Sequence, residues 1–184
     1  MTDSVEMVVL TDLAGNPTGT APKANVHTTD TPLHLAFSCY VRDSAGRLLI
    51  TRRALQKLTW PGIWTNSMCG HPAPGEDTLA AIQRRAQVEL GLPQGALIDV
   101  HPVLPEFSYR ATDSSGIVEW EICPVFIATL SEGMEVQPSA AEVDSHTWVD
   151  PADLIAAVQG APFAFSPWMV EQLSYQQLRE AITR

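Results

Sequence analysis

The chain has few basic residues, few cysteines and no long apolar run, and each of these shortages makes some classes of protein less suitable. Its 184 residues include 11 Lys and Arg against 21 Asp and Glu, a net charge of −10, which disfavours general binding of nucleic acid. Three cysteines without repeated spacing do not suggest a disulfide framework. The apolar runs are far too short for a membrane span, and the N-terminus lacks the order of a signal peptide. The composition predicts a cytoplasmic protein that binds neither nucleic acid nor membrane.

The sequence has enough apolar material for a packed domain. Hydrophobic residues make up 45% and charged residues 17% of the chain, so residues 1–184 are expected to form a single domain. The pattern predicts a mixed α/β (α+β) fold with hairpin-linked strands interrupted by helices, and an irregular loop over 59–75. The predicted strands are 6–11, 34–41, 47–52, 106–111, 117–129 and 146–149. The predicted helices are 76–90, 151–159 and 166–183.

The few basic residues are grouped. Arg52, Arg53, Lys57, Arg84 and Arg85 supply almost half of the 11 basic side chains. An anionic ligand such as a diphosphate would have to be attracted by such a group and by bound cations, against the net charge of the protein. For any one of these side chains, a solvated charged surface is the alternative interpretation.

The predicted helix over 76–90 carries glycine, glutamate and arginine at fixed spacing. Gly70-x5-Glu76-x7-Arg84, followed by Glu89 and Gly91-Leu92, resembles the box G-x5-E-x7-R-E-U-x-E-E-x-G-U of the Nudix superfamily, in which U is apolar. The resemblance implies a Nudix-like α/β/α sandwich with a mixed sheet. A chance pattern on an amphipathic helix is the alternative, and six matched positions in order make it a poor one.

Two departures from the box change its expected chemistry. Arg85 and Val88 stand where the box has glutamates that gather the metals used for hydrolysis. Glu89 remains, which is enough for one Mg²⁺ but poor for a two-metal reaction. Arg85 instead favours binding of phosphate. We interpret the helix as one that holds a diphosphate rather than cleaving it.

Histidines and glutamates distant from this helix form a candidate metal centre. His27 and His34 lie seven residues apart, and His71 follows two residues after a cysteine. Glu119 and Glu121 alternate in a predicted strand, so both side chains emerge on one face. Two carboxylates this close repel each other unless a cation lies between them. Such a nitrogen and oxygen donor set suits Mn²⁺, Zn²⁺ or Mg²⁺.

Longer ordered matches make the sequence similar to one enzyme family within the Nudix superfamily. They cover Thr31–Phe37, Thr51–Leu55, Trp60–Pro72, Tyr109–Ala111, Gly116–Glu121 and Phe165–Trp168. On these motifs the chain is identified as a member of the type I isopentenyl-diphosphate isomerases, which depend on metal and use neither flavin nor nicotinamide. The resemblance implies reversible conversion of isopentenyl diphosphate into dimethylallyl diphosphate through a tertiary carbocation, a step in isoprenoid biosynthesis.

The resemblance also implies roles for individual side chains. The implied ligands of one Mn²⁺, Zn²⁺ or Mg²⁺ are His27, His34, His71, Glu119 and Glu121. The implied acid–base pair is Cys69 and Glu121, with Tyr109 and Trp168 beside the reacting carbons. The implied diphosphate contacts are Lys23, Arg53, Lys57 and Arg85, with Glu89 holding a substrate-linked Mg²⁺.

Several alternatives stay open at this point. The residues do not decide which of Cys69 and Glu121 acts as the acid in the forward direction. A Nudix pyrophosphohydrolase is one rival, disfavoured by Arg85 and Val88. A metal-stabilised binding module without catalysis is the other. The expected partner is a small-molecule diphosphate, and the expected assembly is a monomer or a weak homodimer.

Overall fold

The computed structural model describes residues 5–184, in which strands and helices alternate irregularly. The first six strands are β1 (Met7–Thr11), β2 (Pro17–Pro22), β3 (His34–Leu35), β4 (Phe37–Arg42), β5 (Leu48–Arg53) and β6 (Trp64–Thr65). The other strands are β7 (Met68–Gly70), β8 (Leu97–Leu104), β9 (Ser108–Thr112), β10 (Val118–Ile122), β11 (Val125–Leu130) and β12 (Val143–Val149). The helices are α1 (Lys23–Val26), α2 (Thr78–Leu90), α3 (Pro151–Gly160), α4 (Pro167–Gln172) and α5 (Gln176–Thr183), with a 3₁₀ turn at Pro162–Ala164. Over the described range, every helix is too short or too polar to cross a bilayer.

The strands form two mixed sheets. One sheet has the order β2-β1-β3-β10-β9, and the other has the order β12-β5-β4-β11-β8. In the first sheet β3 and β10 run parallel, and in the second β4 and β11 run parallel. The remaining pairs in these orders are antiparallel. The two parallel pairs therefore lie one after the other along the same two chain segments.

Those two segments pass side by side from one sheet into the other. The amide of Ala36 donates to the carbonyl of Ile122 at 2.9 Å, and the amide of Ser38 donates to Pro124 at 3.1 Å. Pro124 has no N–H to continue a ladder. The predicted strands 34–41 and 117–129 are for this reason each divided in two.

Helices cover the second sheet on both faces. Tyr40 packs in a core with residues of α3, α4 and α5, such as Met169. Its neighbours Cys39 and Val41 point the other way, into a core with Ile82 of α2. Alternate residues of one strand thus enter two cores. This layering is that of the predicted α/β/α sandwich.

The predicted loop over 59–75 contains two short strands, so the prediction was wrong for these residues. Beyond the pair Arg42–Leu48, the expected hairpin of β4 and β5 opens. The segment with β6 and β7 fills the gap, because β6 pairs with β5 and β7 pairs with β4. Strands of two or three residues show no periodicity, so their pairing depends on distant partners.

Other elements also differ from the prediction. Strands β2 and β8 were missed, since both contain proline and β2 is largely exposed. The predicted helix 166–183 is two helices, α4 and α5. Between them the amides of Ser174 and Tyr175 bond to carbonyls three residues back, which ends the first helix with a tighter turn.

The left-handed conformation of Gly91, which ends α2, can be tested by substitution. Its φ is +66°, and a Cβ there would lie 2.3 Å from the carbonyl oxygen of Gln137. We expect Gly91→Ala to lower the free energy of unfolding by at least about 1 kcal/mol, the cost of the left-handed conformation alone. Urea denaturation measures this change.

Gly160 provides the matched control. It is the last residue of α3. Apart from its chain neighbours and the backbone of its own helix, no described atom lies within 4 Å of the position of a Cβ. Gly160→Ala should leave the stability equal or raise it, because alanine favours helix over glycine. Equal losses of unfolding free energy in the two variants would contradict the claim that α2 needs glycine at position 91.

Candidate active site

A cleft of about 480 Å³ collects the predicted site residues. Its walls come from both sheets and from α1, α2 and α4. All predicted site residues except His34 line the cleft. His34 is completely buried and reaches the site through Glu121.

Three imidazoles converge on one oxygen of Glu121. The Nε2 atoms of His27, His34 and His71 lie 3.7, 3.3 and 3.0 Å from Oε1 of Glu121. One donor atom from each of these four residues lies within 4.8 Å of the others. The four side chains form a cluster that could hold a metal ion.

Strand pairing explains how distant residues meet here. In the parallel pair β3–β10, His34 is the register partner of Glu121. In the antiparallel pair β9–β10, Tyr109 is the partner of the same glutamate. His71 follows directly after β7, which pairs with β4 next to the crossing of the two segments. The sheet crossing therefore brings these side chains together.

Buried histidine nitrogens in the cluster lack hydrogen-bond partners within residues 5–184, and the hydrogen bond of His34 leaves a lone pair facing inward. His34 donates from Nδ1 to the carbonyl of Pro32 at 2.8 Å, so its Nε2 carries no proton in the neutral ring. Among the described residues, Nε2 of His27 and of His34 are buried without a hydrogen-bond partner. Buried nitrogen atoms without partners are costly. A divalent cation would satisfy them, so the donor set fits a metal.

The charges of the cluster also fit a cation. Burial lowers the pKa of His71 to about 4, although Glu121 opposes the shift. Burial also acts to lower the pKa of His34, but the Glu121 carboxylate 3.3 Å away outweighs it and raises that pKa. Burial acts to raise the pKa of Glu121, but the three histidines hold it well below its usual value. A carboxylate anion among imidazoles is a suitable ligand set for a divalent ion.

Glu119 lies beside this cluster and bonds to other groups. Its Oε1 accepts from the hydroxyl of Thr59 at 2.5 Å, and its Oε2 lies 2.8 Å from the hydroxyl of Tyr109. The same hydroxyl lies 3.0 Å from Oε2 of Glu121. A phenol has one proton to donate, so the Tyr109 hydroxyl donates to one of the two carboxylates at a time. The predicted role of Glu119 as a metal ligand stays a prediction.

Cys69 is a half-buried thiol at the wall of the cleft. Its Sγ lies 3.4 Å from the hydroxyl of Ser38 and 3.3 Å from Oδ1 of Asn66. Burial raises its pKa to about 12, against the two hydrogen bonds. Cys69 is therefore protonated near neutral pH in the protein without metal.

The predicted diphosphate contacts are already paired with carboxylates or backbone oxygen. Lys23 donates to Glu6 at 3.0 and 3.1 Å. Lys57 pairs with Glu142, and Arg85 pairs with Glu89 and, at 3.2 Å, with Glu142. Burial acts to raise the pKa of Glu142, but Lys57 and Arg85 lower it to about 2. Glu142 is thus an anion that holds two of these cations at the cleft.

Arg53 has a different environment from the other basic residues. Its Nε and Nη2 donate to the carbonyl of Thr59 at 3.1 and 2.9 Å. Its guanidinium lies 5.4 Å from the ring centroid of Trp168. In the free protein, Arg53 thus shapes the 59–62 turn and covers the indole.

The first half of the Nudix-like box holds the loop that carries His71. Arg84 forms two bonds of 2.8 Å to Glu76 and one of 3.1 Å to the carbonyl of His71. Asp77 caps α2 by accepting from the amides of Leu79 and Ala80. Glu76 and Arg84 are therefore structural supports of the site.

Sequence reasoning missed four polar residues at the site. They are Glu6, Thr59, Asn66 and Glu142. Asn66 lies inside the matched segment Trp60–Pro72, which was the available signal. Glu142 lies in a segment without any motif, so no sequence signal pointed to it.

Comparisons with known proteins agree with the site. A family model described as NUDIX domain matches residues 32–169. The isopentenyl-diphosphate Delta-isomerase of Corynebacterium diphtheriae is 61% identical, over 98% of this chain and 98% of its own. That of Corynebacterium efficiens is 58% identical, over 99% and 96%. The chain belongs to the isopentenyl-diphosphate Delta-isomerase family of Nudix proteins.

Solved structures support the fold of this isomerase family member. DR0079 from Deinococcus radiodurans aligns with a TM-score of 0.70 over 97% of this chain and 100% of its own, at 19% identity. The MutT protein from Methanosarcina mazei Go1 gives a TM-score of 0.62 over 82% and 96%, at 18% identity. Identities this low establish the fold alone. Together these matches confirm the predicted Nudix-type α+β fold and the predicted family.

The histidine cluster gives a prediction about metal binding. Mn²⁺ or Zn²⁺ should raise the melting temperature of protein stripped with chelator, because a ligand of the folded state stabilises it. At 100 times Kd the gain is about 2.7 kcal/mol. His34→Ala removes one donor and should reduce the shift in a thermal scan.

His101→Ala is the control for this experiment. His101 is exposed and bonds to the carbonyl of Asp99 at 2.7 Å. This variant should keep the shift of the wild type. Equal shifts in the two variants would argue against the proposed site.

Proposed function

We infer that this protein interconverts isopentenyl diphosphate and dimethylallyl diphosphate in isoprenoid biosynthesis. The family relation confirms the isomerase activity predicted from the sequence. Within the site, the proposal rests on Glu121, whose two carboxylate oxygens contact different groups. One of its oxygens faces the three histidines, and the other faces Tyr109. Glu121 and Tyr109 line the same cleft as Cys69.

We propose that His27, His34, His71 and Glu121 hold one Mn²⁺, Zn²⁺ or Mg²⁺, with Glu119 close by. The convergent donor atoms and buried lone pairs support this assignment. When bound, such an ion supplies positive charge that fixes the Glu121 carboxylate and favours its ionised form. Glu89 is proposed to hold a second ion, Mg²⁺, together with the diphosphate.

Cys69 and Glu121 are proposed to move the protons. An unactivated alkene is a weak base, so its protonation needs a positioned acid and stabilisation of the resulting cation. A proton is added at C4, positive charge develops at C3, and a base removes a proton from C2. Glu121 and Tyr109 share a hydrogen bond through which a proton can pass. Cys69, a protonated thiol in the free protein, is the proposed partner on the other side of the substrate.

Aromatic side chains are proposed to stabilise the cation and exclude water. Trp168 packs edge-on against Trp60 at 5.4 Å and tilted against Tyr109 at 5.6 Å. An indole face contributes about 2 kcal/mol or more to a desolvated cation. Because water would trap the cation as an alcohol, an apolar wall also protects the reaction.

The basic side chains are proposed to anchor the diphosphate. Lys23, Arg53, Lys57 and Arg85 line the cleft. Their attraction for the diphosphate turns remote binding energy into positioning of the five-carbon tail. Glu6 and Glu142 hold several of these cations in the free protein, so the diphosphate would share or displace those ion pairs.

Isotope exchange tests the proposed reaction. Incubated with isopentenyl diphosphate in D₂O, the wild type should place deuterium in both isomers, because each direction adds a proton from solvent-exchangeable groups. Mass spectrometry and NMR measure the incorporation. Cys69→Ala and Glu121→Gln should abolish exchange while circular dichroism stays that of the folded protein.

The same experiment separates the rival functions. A pyrophosphohydrolase would release phosphate from nucleoside or sugar diphosphates without exchange. A binding module would keep its ligand affinity in Cys69→Ala and would lack exchange in the wild type. Absence of deuterium in either isomer would reject the isomerase proposal.

Lys57 provides a test of the diphosphate subsite. A hydrogen bond to a charged group contributes about 1.5–3 kcal/mol, so Lys57→Ala should raise KM about tenfold or more with a smaller change in kcat. The control is Arg47→Ala, because Arg47 is exposed and pairs with Asp43 on a distant turn. Equal KM values for the two variants in steady-state kinetics would show that Lys57 does not bind the diphosphate.

A further inference from the structure

Asn66, a residue without a role so far, lies at the junction of two proposed catalytic side chains. It connects β6 to β7 and is completely buried. Its Oδ1 lies 3.1 Å from Nε1 of Trp168 and 3.3 Å from Sγ of Cys69. The hydroxyl of Thr65 donates to the same oxygen at 2.9 Å. One amide oxygen thus faces the indole, the thiol and a hydroxyl.

The other end of the side chain fixes the direction of the amide. Nδ2 of Asn66 donates to the carbonyls of Cys39 at 3.1 Å and Met68 at 2.8 Å. A flipped amide would place its oxygen against those two carbonyl oxygens. It would also place N–H groups against the N–H of Trp168. Only the observed direction satisfies the surrounding donors and acceptors.

The network ties the site to the segment with β6 and β7, which fills the gap between β4 and β5. Cys39 lies on β4 and Met68 on β7, so the amide nitrogen is anchored in the second sheet. Trp168 is the second residue of α4, far along the chain. Asn66 is the shared hydrogen-bond partner that sets the indole and the thiol relative to one framework.

We propose that Asn66 is a positioning residue, whose amide oxygen holds the Trp168 indole and the Cys69 sulfur in fixed positions relative to each other beside the reacting carbons. This inference rests on the roles proposed above for Cys69 and Trp168. The amide acts before the substrate binds and needs no contact with it. The reaction depends on such placement, because errors of about 1 Å can cost about 100-fold in rate.

Kinetics of Asn66→Ala test the proposal. We expect kcat to fall about 100-fold while KM for isopentenyl diphosphate stays within about threefold, because the diphosphate contacts are unchanged. A merely structural role would lower the amount of folded protein without this division between kcat and KM. A folded Asn66→Ala variant with the kcat of the wild type would overturn the proposal.

Ser67→Ala is the matched control on the same turn. Ser67 is also completely buried, and its hydroxyl donates to Leu49 at 2.6 Å and accepts from the amide of Val41 at 2.7 Å. Its hydroxyl therefore anchors the same segment without bonding to the thiol or the indole. This variant should lose stability and keep kcat. An equal loss of kcat in Ser67→Ala would assign the effect to the segment as a whole and overturn the specific role of Asn66.

Trp168→Phe adds a readout that does not require Asn66→Ala to fold. It keeps an aromatic ring but removes the N–H that Asn66 accepts. A folded Trp168→Phe with wild-type kcat overturns the proposal, and so does a loss of kcat that multiplies in full with that of Asn66→Ala in the double variant. Where both single variants fold, the double variant should lose less than the product of the two separate losses.

The test separates this inference from the proposed function. Loss of activity in Cys69→Ala together with full kcat in folded Asn66→Ala rejects the positioning role alone. Full activity in Cys69→Ala rejects the role of the thiol and, with it, this inference.

Discussion

The structure depends on two neighbouring segments that cross between the sheets while hydrogen-bonded to each other. The bonds from Ala36 to Ile122 and from Ser38 to Pro124 fix the register of this crossing. Because the side chains alternate along a strand, this register decides that His34 faces Glu121. A shift of one residue would turn Glu121 away from the histidines. The cluster of three histidines and Glu121 is therefore a consequence of backbone pairing.

Buried polar groups cluster around this crossing, and their hydrogen bonds restrict one another. Tyr109 bridges Glu119 and Glu121, while Asn66 bridges Cys69 and Trp168. Buried polar networks are costly when incomplete and rigid when satisfied. The cleft thus holds its polar groups in fixed directions beside an apolar aromatic wall, an arrangement suited to forming and protecting a carbocation.

Four basic side chains and five carboxylates line the cleft, so bound cations would have to add to the attraction for an anionic substrate. The net charge of the whole chain is also negative, at −10. Arg85 takes the place of a box glutamate and pairs with both Glu89 and Glu142. At this position a cation replaces a carboxylate that would have gathered metal. This replacement agrees with the proposal that the site holds a diphosphate rather than hydrolysing it.

Local sequence pattern determined the class of the fold, the approximate span of α2, and the family to which the chain belongs. These depend on periodicity and on ordered motifs, which a sequence carries in itself. Tertiary structure alone decided the short strands β6 and β7 and the partners of Glu142. It also decided that Glu121 takes the centre of the histidine cluster while Glu119 turns to Thr59 and Tyr109. The reason is that two carboxylates on one face of a strand look alike in sequence, and only the neighbouring strands distinguish their surroundings.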